Sequence, residues 1–73
     1  MWQVNINCSG DAWKSYGAAF KALADKYPGD CITSKKMPDG NRIMIYKIED
    51  VSDAETFTEE CQKFPGFTAY FES

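Results

Sequence analysis

From Trp2 to Cys8 the chain reads Trp-Gln-Val-Asn-Ile-Asn-Cys, an unbroken alternation of large apolar and polar side chains. A period of two marks a half-buried strand, with Trp2, Val4, Ile6 and Cys8 facing the core and Gln3, Asn5 and Asn7 facing away. After Ser9-Gly10-Asp11 the spacing changes to three and four, which puts Trp13, Tyr16, Gly17, Phe20, Leu23, Ala24 and Tyr27 on one stripe of a helix.

The rest of the chain repeats the alternation of elements. Pro28-Gly29 is read as the helix stop, and Cys31 to Lys36 as a second strand. Asp39-Gly40 favours the left-handed backbone angles of a tight hairpin turn, and Arg42 to Ile48 forms the third strand. Ser52 and Glu55 stand at capping-box spacing before a helix whose inner stripe is Ala54, Phe57, Thr58, Cys61 and Phe64. Pro65-Gly66 ends that helix, and Phe67 to Phe71 alternates again. The order βαββαβ, with a right-handed crossover in each β-α-β half, predicts a ferredoxin-like α+β sandwich. Its four-stranded antiparallel sheet has strand order 4-1-3-2, with both helices on one face, and residues 1–73 form a single domain.

A domain this small buries only about 60% of its unfolded surface and needs dense packing or covalent help. Eleven aromatic residues supply the packing. Cys8, Cys31 and Cys61 are an odd number at wide spacing without a Cys-x-x-Cys pair, and the chain has no histidine. They read as free thiols in a reducing compartment, with Cys8 and Cys61 in the core and Cys31 near an edge. No metal or other cofactor is expected. No apolar run approaches ~20 residues and no basic region precedes a long apolar segment, so the expected location is cytoplasmic, away from membranes.

Several functions drawn from this fold lack their residues. The loop Asn7 to Asp11 opens a helix, where backbone amides favour anions, but it has no arginine and no glycine-rich cradle. Acylphosphatase chemistry is therefore not expected, and Ser9 and Asp11 read as helix-capping residues. RNA-recognition domains stack bases on aromatics of the first and third strands, whereas the outward side of the first strand carries Gln3, Asn5 and Asn7. With a net charge of -3, direct nucleic-acid binding is not expected. Glu49, Asp50, Asp53, Glu55, Glu59 and Glu60 lie on a solvated helix face and its entry, where shifted acid pairs do not form, so no catalytic residues are assigned.

The step Phe64-Pro65-Gly66-Phe67 resembles the helix-to-strand turn of dimeric ferredoxin-like barrels of the antibiotic-monooxygenase type, over four of the 73 residues. That resemblance implies an alternative function: a sheet-face homodimer that binds a small ligand or performs cofactor-free chemistry.

Charge and hydropathy point to surfaces. Residues 1–47 hold seven bases and four acids, and residues 48–73 hold one base and seven acids. Glu55, Glu59 and Glu60 thus form an acidic side suited to a basic surface, such as that of a nucleic-acid-binding protein, while the first helix and the hairpin tip are mildly basic. Ile43 to Ile48 is apolar on both alternating faces, yet the fold covers only one. A two-residue Asp39-Gly40 turn would pair Ser34 with Ile45 and Thr33 with Tyr46. The open face then shows either Ile43 and Ile45 or Met44, Tyr46 and Ile48, with Tyr70 beside them. These residues, with the acidic helix, are the candidate protein-binding site. The expected function is a non-enzymatic module that binds a protein partner, or a second copy of itself, and inhibits or regulates a larger macromolecule. Small phage and mobile-element inhibitors of host defence, anti-CRISPR proteins among them, offer an analogy of size and fold, and would act in the host cytoplasm.

Overall fold

Residues 1–27 and 29–72 are described by a computed structural model. The elements follow the order β1 (Trp2–Cys8), α1 (Gly10–Ala24), β2 (Asp30–Lys36), β3 (Arg42–Ile48), α2 (Val51–Gln62) and β4 (Phe67–Glu72). All strand pairs are antiparallel, in the order β2-β3-β1-β4, which is 4-1-3-2 read from the other edge. The result is an α+β fold of one four-stranded sheet and two helices, compatible with a ferredoxin-like arrangement.

One set of alternating strand residues is buried together with the helix stripes. Val4, Ile6, Cys8, Met44, Ile48, Phe67 and Ala69 share a core with Ala12, Phe20 and Leu23 of α1 and with Ala54, Phe57 and Cys61 of α2. Phe20 sits at its centre, 5.9 Å from the Tyr46 ring, 6.0 Å from Phe57 and 5.8 Å from Phe67. Aromatic pairs at this spacing contribute about 0.5–1.5 kcal/mol each beyond their buried area.

The helix ends are fixed by local hydrogen bonds. Ser9 Oγ accepts from the Ala12 amide at 3.1 Å, the capping role read from the sequence. α1 finishes at Ala24, where the Lys26 and Tyr27 amides donate to the Leu23 and Ala24 carbonyls at 3.1 and 3.2 Å. The helix therefore ends before the expected stop, whose Pro28 lies outside the described residues. At α2 the expected Ser52–Glu55 box is replaced by Asp50, whose carboxylate accepts from the Ser52 and Asp53 amides at 2.7 and 3.3 Å. Its carboxylate also faces the positive end of the helix dipole, which a serine hydroxyl cannot match.

The hairpin differs from expectation by one residue. Met37 and Asn41 close it, with the Met37 amide donating to the Asn41 carbonyl at 2.7 Å and the Gly40 amide to the Met37 carbonyl at 2.9 Å. Three residues, Pro38, Asp39 and Gly40, make the loop, and Gly40 takes the left-handed φ of +94° that such a loop requires. Ser34 consequently pairs with Met44 and Thr33 with Ile45. A register shift between Cys31 and Thr33 then leaves Ile32, which is 54% exposed, without a register partner and sets Cys31 opposite Tyr46.

Candidate docking surface on the sheet

Register places the outward residues in three rows across β4, β1, β3 and β2. The first is Thr68, Asn7, Ile43 and Lys35; the second is Tyr70, Asn5, Ile45 and Thr33; the third is Glu72, Gln3, Lys47 and Asp30. On β3 the apolar members of this set are Ile43 and Ile45, both half-buried, which alternate with Met44 and Ile48 of the core. Of the two alternatives for β3, the register selects Ile43 and Ile45, and the candidate Tyr46 packs its ring inward against Phe20 and Phe57. Its hydroxyl is pushed up to about 12 by burial first and by neighbouring Cys31 next.

Tyr70 is 61% exposed and projects from β4 in the row of Asn5 and Ile45. The polar side chains around it are already ordered among themselves. Gln3 Nε2 donates to Asn5 Oδ1 at 3.1 Å and to Glu72 Oε1 at 3.4 Å, and Asn5 Nδ2 donates to the same carboxylate oxygen at 3.4 Å. Thr68 Oγ1 donates to the Asn7 carbonyl at 3.3 Å. Asn5, Asn7, Ile43, Thr68 and Tyr70 border a shallow recess of about 160 Å³. An apolar strip beside a hydrogen-bonded polar border can desolvate against another protein at low ordering cost. Glu72 belongs to this border through its register with Gln3, a contact that requires β4 to be paired before it can be seen.

The acidic residues form a separate surface. Glu55 and Glu59 are exposed on α2 and Glu60 is partly covered, one helix face away from the buried stripe Ala54, Phe57, Thr58 and Cys61. The fold does not bring them next to Ile43, Ile45 or Tyr70, which stand on strand positions alternating with the core.

Two of the three thiols are buried. Cys8 and Cys61 are buried and Cys31 is exposed, as read from the sequence. Burial pushes the Cys61 thiol up to about 12 and raises that of Cys8, opposite to the activation a nucleophile needs. Among the described residues no three His, Cys, Asp or Glu side chains are grouped to hold a metal ion. No helix among them is long and apolar enough to cross a membrane. No known family model matches the chain, and no curated protein matches it.

Proposed function

We propose that the chain is a non-enzymatic protein-binding module, a ferredoxin-like sandwich whose helices cover one sheet face and whose other face docks on a larger macromolecule to inhibit or regulate it. The observation that carries this reading is the exposure of Tyr70 in one row with Ile45, beside Ile43, on a face with an ordered polar border. Tyrosine and isoleucine anchors surrounded by polar groups match the anatomy of interface cores. Glu55, Glu59 and Glu60, on their separate surface, steer approach to a partner protein with a basic side.

A sheet-face homodimer is the second reading, favoured by the charges at the two ends of β2. Lys35 and Asp30 occupy opposite rows of the face, so a twofold axis along the middle row sets each lysine against the other copy's aspartate. Light scattering after size exclusion, with wild type and the Tyr70→Ser/Ile45→Ser variant, separates the two. A monomer, with a partner that is captured by wild type and released by the variant, supports the first reading. A dimer that the variant dissociates supports the second, and a folded variant that behaves like wild type in both respects overturns both.

A further inference from the structure

The start of α1 and the β2–β3 hairpin line a cleft of about 290 Å³, where Arg42 stands at a strand position alternating with Ile43 and Ile45. A Cβ on Gly10 would stand 2.8 Å from the Gly40 carbonyl oxygen, so the first residue of α1 touches the hairpin there. Lys14 of α1, Lys36 of β2 and Arg42 of β3 line it, against the single carboxylate of Asp11.

Two of these cations stand where folding alone disfavours them. Lys36 and Arg42 are direct register partners, and like charges directly opposite across an antiparallel pair destabilise it. The arginine is nevertheless held in place. Its guanidinium lies 4.5 Å from the centre of the Trp13 ring, and Nη1 donates to Ser34 Oγ at 3.0 Å. Trp13 in turn rests on Gly17, where a Cβ would approach the indole to 3.2 Å, which gives the mid-helix glycine a packing role. The amino end of α1 contributes little beyond this, since Ser9 caps it and Asp11 already faces its dipole.

We propose that this cleft binds the phosphate group of a small phosphorylated molecule. The planar guanidinium of Arg42 meets two phosphate oxygens in its fork, Lys14 and Lys36 meet the remaining charge, and the anion relieves the Lys36–Arg42 repulsion. Arg42 already occupies the Trp13 ring, so recognition rests on the oxyanion and not on stacking of a base. This inference is independent of the docking face.

Inorganic pyrophosphate serves as the probe, titrated at constant ionic strength into a Trp2→Phe protein in which Trp13 is the sole indole. Saturable change in Trp13 emission is expected, with backbone amide shifts confined to residues 9–14 and 36–42. Lys36→Gln, at an exposed side chain, and Arg42→Gln should each weaken binding by about tenfold. An equal response to sodium chloride overturns the proposal, as does unchanged affinity in a folded Lys36→Gln protein. A ten-residue thymidine oligonucleotide bound more tightly than pyrophosphate overturns it in favour of nucleic acid.

Discussion

Tyr70 and Ile45 are register partners of the same residue, Asn5, one from β4 and the other from β3. That row turns two scattered apolar residues into a pair that a single partner surface can cover. It also sets Tyr46, the neighbour of Ile45 in sequence, on the opposite side of the sheet.

The two tyrosines should therefore respond oppositely to truncation. Tyr70→Ser is expected to change unfolding free energy by less than about 0.5 kcal/mol, as exposed substitutions do. Tyr46→Ser removes a ring packed against Phe20 and Phe57 and should cost about 3 kcal/mol or more. Urea denaturation of both variants measures the contrast, and equal losses would mean that β3 presents its other face.

The alternation of β1 and the helix stripes, short of Tyr27 and Phe64 beyond the helix ends, were legible from their periods, and the strand order from the handedness of the crossovers. β3 was legible in its bounds but not in its facing, since Ile43 to Ile48 is apolar on both alternations and only its pairing decides the face. The pairing depends on loop length, and the Met37–Asn41 closure adds a residue that the Asp39-Gly40 dipeptide does not announce. Arg42 reaches the opening of α1 only through the hairpin, so the first loop read in isolation shows no arginine.

The cap of α2 offers a second contrast. Asp50→Ala should destabilise by about 1 kcal/mol, because two amides lose their acceptor. Ser52→Ala and Glu55→Ala, which remove no capping bond, should each stay within about 0.5 kcal/mol in the same denaturation assay.

Gly66 has a φ of +83°, and a Cβ there would stand 2.7 Å from the Ala12 Cβ. Gly66→Ala combines left-handed strain with an overlap between the α2–β4 turn and α1, and should cost about 2 kcal/mol or more. A thermal midpoint equal to wild type would show that the turn can move away from α1.

The thiols set the alkaline limit of the fold. Cys31 should react first with a thiol reagent in the native state, and Cys8 and Cys61 only on unfolding. With its folded value raised from 9.0 to about 12, Cys61 keeps its proton in the native state while the unfolded chain loses it. The unfolded state then binds fewer protons, so stability is unaffected below pH 9 and falls as pH rises from there towards 12. Tyr46, raised to about 12 as well, adds to the loss in the upper part of that window. Denaturation midpoints across this range check the sign, and Cys61→Ala should flatten the lower part of the decline.

Charge reversal on α2 tests whether the acidic surface and the sheet face divide the work of association. Glu55, Glu59 and Glu60 lie apart from the row of Tyr70, so they act on a partner through solvent and over distance, where salt screens them within about 8–10 Å. Reversing all three to lysine should slow association several-fold at low salt and reduce its salt dependence, while dissociation stays near the wild-type rate. Tyr70→Ser should do the reverse, leaving encounter intact and speeding dissociation, because an anchor is desolvated only after docking. Stopped-flow or surface-binding kinetics with the captured partner resolves both rates. If the lysine variant instead speeds dissociation and leaves association unchanged, α2 itself is part of the buried contact and the sheet face is not the docking surface.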